Sequence, residues 1–241
     1  MASGPMFRLE AVRHRYGDRT VLGVEDFDVQ RGETVAVLGP SGAGKTTLLR
    51  LLQFLERPTE GRLLFDGCPV GADAPLDLRR RVTTVFQRPV VLDRSVRANL
   101  EFGLRVRGLR QPPGRIDRLL ENLGLLRLAH APARTLSGGE IQRLAFGRAL
   151  AFDPEVLLLD EPTANLDPRN VRIVEGLVRR CQARGVTIVL ATHQIFQARR
   201  LATRAALLLD GQIVESGPVP ILLDAPRDER TRAFLTGDMI Y

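Results

Sequence analysis

Hydrophobic and polar positions alternate at the start of the chain. Phe7–Val12, Val21–Val29 and Thr34–Leu38 carry the two-residue period of strands, partly antiparallel. A glycine-rich segment, Gly39–Gly44, follows the third. Beyond it Leu48, Leu51, Leu52 and Leu55 recur at the spacing of one helical face, and Pro58 predicts the stop. Arg62-Leu63-Leu64-Phe65, held between Gly61 and Gly67, reads as a short strand. From Arg88 to Leu150 the character changes. The segment is rich in leucine and arginine, has helical periodicity, and breaks at Pro112-Pro113-Gly114.

The apolar pattern then becomes continuous. Val156–Leu159 ends in Asp160 and Glu161, the mark of a strand buried on both faces. Val174, Leu177, Val178 and Cys181 form another helix face, closed by Gly185, and Val186–Ala191 is a second buried strand. Ala205–Leu209 and Gln212–Val214 flank Asp210-Gly211, a hairpin signal. The expected organisation is α/β, with one domain over residues 6–241. It combines an antiparallel β subdomain with an inserted α-helical subdomain at about 88–150. Residues 1–5 are expected to be a disordered extension, and no tandem repeat is visible.

Composition narrows the function only by exclusion. With 241 residues, 44% apolar and 26% charged, the chain can bury a full core. No apolar run approaches the ~18 residues needed to span a bilayer, so a role at a membrane requires a partner. Cys68 and Cys181 have neither metal-site nor disulfide spacing, and the compartment expected is reducing. The net charge of +7 raises nucleic acid as a partner, but the arginines are dispersed among acids and none is expected. One count is informative: Lys45 is the chain's single lysine among 35 basic residues. A site that keeps lysine there needs a compact point charge rather than a planar fork.

That lysine stands in Gly39-Pro40-Ser41-Gly42-Ala43-Gly44-Lys45-Thr46, a phosphate-binding loop between a strand and a helix, with Thr47 completing the set. Glycines let backbone N–H groups turn inward around phosphates, and the following helix points its positive end at them. Lys45 suits the β- and γ-phosphates, and the Thr46 hydroxyl suits Mg²⁺. Asp160 is placed to hold the metal and Glu161 to polarise water. The core expected is therefore a P-loop NTPase.

Leu136-Ser137-Gly138-Gly139-Glu140 is a second element. Ser137 and Glu140 form a capping box, which gives no reason for two consecutive glycines in a first turn. Close approach of a ligand to a bare helix N-terminus would supply one.

Here the sequence resembles the ATP-binding cassette family, from about Phe7 to about Gly217. Gly39–Thr46 is similar to its Walker A loop, Val156–Glu161 to its Walker B strand and Leu136–Glu140 to its signature. Gln87 matches the Q-loop, Asp167 the D-loop, His193 the switch histidine and Tyr16 the adenine-stacking aromatic. Alone, Asp167-Pro168 also reads as a helix cap, and Gln87, His193 and Tyr16 as ordinary strand-end residues. One departure is Ile141, where many members carry glutamine.

The resemblance implies a dimer, of this chain or with a paired cassette, that sandwiches two ATP. Lys45, Thr46, Asp160 and Gln87 would hold Mg-ATP from one side; Ser137 and Gly139 would hold the γ-phosphate from the other, with Gly138 between them in the nucleotide-binding set. Glu161 would orient water and His193 would contact the γ-phosphate. It further implies an integral membrane permease, received at Pro89–Leu92, and a place at the cytoplasmic face of the membrane. The end at Tyr241 is expected to leave no room for a large regulatory domain, which suits an importer fed by an extracytoplasmic solute-binding protein. Leu78–Leu92 looks similar to tungstate- and related oxyanion-importer ATPases. Polar amino-acid import, lipoprotein-type export, and a soluble cassette protein of translation or DNA repair are the alternatives.

Overall fold

The computed structural model describes residues 4–109 and 112–238. The extension expected at 1–5 lies in part, at 1–3, outside the described residues. Met6 is already buried.

Two sheets organise the chain. β1 (Phe7–Tyr16), β2 (Arg19–Val29), β4 (Glu60–Phe65) and β5 (Cys68–Pro69) form an antiparallel sheet in the order β2-β1-β4-β5. β3 (Thr34–Leu38), β6 (Val82–Val85), β7 (Val156–Asp160), β8 (Thr187–Thr192), β9 (Arg204–Leu209) and β10 (Gln212–Pro218) form the second, in the order β10-β9-β3-β8-β7-β6. It is parallel throughout except for the β9–β10 hairpin. Asp210 and Gly211 both take positive φ in that hairpin's turn, as a two-residue connection with right-handed strands demands.

The helices follow from the same pattern. α1 (Lys45–Leu52) runs from the glycine loop, and α2 (Leu76–Arg81) leads into β6. α3 (Val96–Val106), α4 (Arg115–Asn122) and α5 (Gly138–Leu150) occupy the leucine-rich segment. α6 (Pro168–Ala183) and α7 (Ile195–Leu201) flank β8; α8 (Val219–Asp224) and α9 (Glu229–Thr236) close the described chain. The helical segment has no core of its own. Leu100, Leu120 and Leu144 share one apolar cluster with Leu157, Leu159, Ile188 and Leu190, one face of the parallel sheet. The opposite face, with Val35, Val37, Leu158 and Val189, packs on α1 and the antiparallel sheet.

The helix face expected through Leu55 is cut short. α1 ends at Leu52, and Phe54 takes a φ of 59°. The Leu55 amide reaches back to the Arg50 carbonyl at 3.0 Å, closing the helix with a left-handed residue. The cause is aromatic packing. Phe54 turns inward between Phe7 and Phe65, with ring centroids 6.3 and 5.2 Å away, and Leu55 is left 51% exposed.

Candidate nucleotide site

Four adjacent parallel strands carry the expected chemistry at their carboxyl ends. β3 runs into the glycine loop, β8 into His193, β7 into Asp160 and Glu161, and β6 stops two residues before Gln87. Loops at the carboxyl edge of a parallel sheet converge on one place, and here they enclose a cleft of about 450 Å³. Ser41, Gly42, Gly44, Lys45, Thr46, Thr47, Gln87, Asp160, Glu161 and His193 all line it.

The loop's path depends on two glycines. Gly39 has a φ of 155°, and a Cβ there would overlap the Leu208 carbonyl oxygen. Gly44 has a φ of 102°, and a Cβ would stand 2.9 Å from the Val21 carbonyl oxygen. Between them the Lys45 side chain curls back, donating to the Gly39 and Pro40 carbonyls at 2.7 and 2.8 Å. Ala43 and Pro40 shape the loop without lining the cleft.

The carboxylates complete the arrangement. Thr46 Oγ1 donates to Asp160 Oδ2 at 3.0 Å, giving two hard oxygen groups side by side. Glu161 Oε1 lies 3.5 Å from Lys45 Nζ and accepts from His193 Nδ1 at 3.0 Å. Glu161 has a φ of 45°, and its N–H is tied to the Ala191 carbonyl at 2.9 Å, so β8 fixes the turn that aims its side chain. Its second oxygen, Oε2, is buried with no hydrogen-bond partner among the described residues. Burial pushes the Asp160 carboxyl above its ordinary range, despite the Thr46 hydrogen bond. A buried lysine, a desolvated carboxylate beside a hydroxyl, and an orphaned carboxylate oxygen fit a magnesium-bound polyphosphate with an attacking water.

Other expected residues lie elsewhere in the single chain. Ser137, Gly138 and Gly139 open α5 outside the cleft. Glu140 Oε2 accepts from the Ser137 N–H at 2.8 Å and from its hydroxyl at 2.7 Å. Those bonds hold the Glu140 carboxyl below its usual range. The pair of glycines divides in two. A Cβ on Gly139 would have to displace the Asn170 side-chain amide, whereas a Cβ on Gly138 would meet no atom within 4 Å.

Asp167 caps α6, accepting from the Arg169 and Asn170 amides at 2.9 and 3.0 Å. Tyr16 ends β1, 44% exposed, with its hydroxyl donating to Glu56 at 2.6 Å and its ring edge-on to His14. The Pro89–Leu92 surface also divides, because Val90 is 80% exposed whereas Val91 packs into the helical cluster. Phe86, beside Gln87, is exposed as well. Ile141 packs against the same cluster, away from the cleft.

Sequence reasoning missed Arg19, which lines the cleft from β2. Its only signal was position, three residues after Tyr16 on the partner strand of a hairpin, and it was one cation among many.

Two stacked sheets, the loop, the acidic strand and the helix-opening glycines together define an ATP-hydrolysing cassette. The ABC transporter family matches over residues 23–164, and the chain belongs to that family. It is similar to the phosphate import ATP-binding protein PstB 2 of Natronomonas pharaonis, at 43% identity over 95% of this chain and 86% of that one. A probable anion import ATP-binding protein of Haloferax volcanii is 42% identical over 95% and 85%. A dimeric ATP-binding cassette solved in a post-hydrolysis state with ADP and Pi superposes with a TM-score of 0.79, at 31% identity over 89% of this chain and 99% of that one. Such cassettes bind ATP, dimerise and pair with membrane permeases. No helix among the described residues is long and apolar enough to cross a membrane.

Proposed function

We propose that the chain is the ATP-hydrolysing subunit of an anion importer, acting as half of a dimer that encloses two ATP. The observation that carries this is the linked set of Lys45, Glu161 and His193, at 3.5 and 3.0 Å, beside the Thr46–Asp160 pair. The phosphate chain enters over the glycine loop. Lys45 exchanges its hold on two carbonyls and Glu161 for phosphate oxygens, a point charge meeting the β- and γ-phosphates. Thr46, Asp160 and Gln87 are the groups that would hold Mg²⁺, which when bound supplies charge neutralisation on the phosphates.

Glu161, released by Lys45, polarises a water whose oxygen attacks the γ-phosphorus. The bond to the bridging oxygen breaks, leaving ADP and inorganic phosphate. His193, held through Nδ1 by Glu161, keeps its other ring nitrogen for the transferred group. Tyr16 stacks on adenine. Ser137, Gly138 and Gly139 of the second copy close the site, Ser137 exchanging its bond to Glu140 for the γ-phosphate, while Asp167 lies at the facing α6 end. Hydrolysis removes the shared charge and the dimer opens.

Phe86 and Val90 offer an exposed apolar surface next to Gln87 on which a permease would seat, at the cytoplasmic face of the membrane. The relatives with phosphate and anion import in their names support a tetrahedral oxyanion as the solute. The similarity of Leu78–Leu92 to tungstate importers favours the same class, delivered by an extracytoplasmic solute-binding protein. Uptake of labelled phosphate, molybdate, tungstate and glutamine by cells lacking the chain tests this. Uptake of one oxyanion should fall and return with the wild-type chain but not with Lys45→Ala. Loss of glutamine uptake alone, or of none of the four, would reject anion import.

A further inference from the structure

The cleft contains a cation that the family resemblance does not assign. Arg19 opens β2, directly opposite Tyr16 in the hairpin register. The β1–β2 register slips by one residue between His14 and Arg15, leaving Val21 as a bulge between Leu22 and Thr20, and both Arg19 and Val21 line the cleft. The strand is pinned there. The Val21 carbonyl lies against Gly44 and Gly211, and the Gly23 amide donates to the Gly211 carbonyl at 2.7 Å. Arg19 is thus delivered to the rim by a strand that touches the phosphate loop.

Neighbouring arginines are committed. Arg15 donates to the Asp18 carbonyl at 3.1 Å, and Arg50 is shared between Tyr16 and Glu56. Arg19 has no side-chain partner among the described residues and is exposed. An unpaired guanidinium beside a cleft is a donor set suited to phosphate oxygens.

Arg19 also contributes to the charge of the cleft. Its lining carries two carboxylates, Asp160 and Glu161, against Lys45 and Arg19. Arg19 thus supplies one of the two basic side chains that line the cleft and could face the phosphate chain.

We propose that Arg19 is a second phosphate-binding cation of the nucleotide site, holding the phosphate chain on the side of the adenine-stacking residue. The inference rests on the nucleotide reading of the cleft. Because the contact is present before and during hydrolysis, it acts as uniform binding, raising affinity without accelerating chemistry.

The test is the Kd for ATP and for ADP, with steady-state kcat and KM, for the wild type, Arg19→Gln and Arg19→Lys. Arg19→Gln should raise Kd and KM by about five- to tenfold at low salt, the range of one partly exposed charge-assisted contact. The deficit should shrink between about 0.05 and 0.5 M salt as screening removes the contact from the wild type too. Arg19→Lys should recover most of the low-salt affinity. Equal low-salt affinity of Arg19→Gln and a nucleotide-binding wild type would overturn the role of Arg19 alone. So would a fall in kcat at unchanged KM, or a deficit that ignores salt. A wild-type chain that binds no ATP would instead remove the nucleotide reading, and this inference with it.

Discussion

Gly138→Ala separates what the isolated chain needs from what its dimer needs. Gly138 opens α5 at an unstrained φ, and a methyl group there meets no atom within 4 Å. Alanine is favoured over glycine in a helix by roughly 0.5–1 kcal/mol, and at the first helical position the lower figure applies. For a chain of this size 1 kcal/mol moves Tm by roughly 2–4 °C, so the nucleotide-free variant should melt about 1–2 °C higher than the wild type. Its effect on the dimer has the opposite sign. In the proposed sandwich the methyl would stand where the γ-phosphate of the nucleotide bound by the partner approaches the α5 N-terminus. Each of two sites would lose at least one charge-assisted bond of about 1.5–3 kcal/mol. Nucleotide-driven dimerisation should weaken by about two to four orders of magnitude, and turnover with it. Calorimetry without nucleotide, sedimentation velocity with Mg-ATP and an ATPase assay measure the three quantities. Gly139→Ala is the comparison, and its gain in Tm should be smaller because its methyl must first displace the Asn170 side chain. A Gly138→Ala chain that hydrolyses ATP at the wild-type rate would refute the reasoning.

Three further outcomes follow from named contacts. Lys45→Arg should lose ATP binding although it keeps the charge, because the planar fork cannot replace Nζ between the Gly39 and Pro40 carbonyls and Glu161; ordinary ATPase activity would contradict this. Burial raises the Asp160 pKa in the folded chain above its unfolded value, so the ionised form costs stability at neutral pH. That cost is relieved as pH falls through the raised pKa and is gone below the unfolded value of about 3.9. Asp160→Asn should therefore raise the nucleotide-free Tm at pH 7, with the gain vanishing toward pH 4, and abolish turnover; a lower Tm at pH 7 would count against the desolvation argument. Cys181 is buried with its thiol pushed up to about 11, whereas Cys68 is exposed. A thiol reagent at pH 8 should thus modify one cysteine in the native chain and two in denaturant, and rapid native modification of both would place Cys181 wrongly.

Elements with a strong period were legible in the sequence. Val156–Asp160 and Thr187–Thr192 are runs of apolar residues because both faces of a parallel strand are covered, and their acidic and histidine ends mark the carboxyl edge. The loop, the acidic strand and His193 could be placed together for that reason. Longer-range contacts decided the rest. Leu55 fits the helical face of α1, but Phe54 leaves the helix to join Phe65 of the next strand and Phe7 of the first, a cluster that no local period marks. The neighbour that a methyl on Gly139 would displace is Asn170, on another helix. Arg19 carries no local pattern at all; only the β1–β2 register and the approach of Val21 to Gly44 bring it to the cleft.

The most direct measurement is a crystal structure of Glu161→Gln with Mg-ATP, a variant that should bind nucleotide without turning it over. The account predicts two chains face to face, each ATP lying between the glycine loop of one copy and Ser137 of the other, with the Ser137 hydroxyl moved from Glu140 to the γ-phosphate. A nucleotide held by one chain alone, with Ser137 still bound to Glu140 in every assembly, would contradict it.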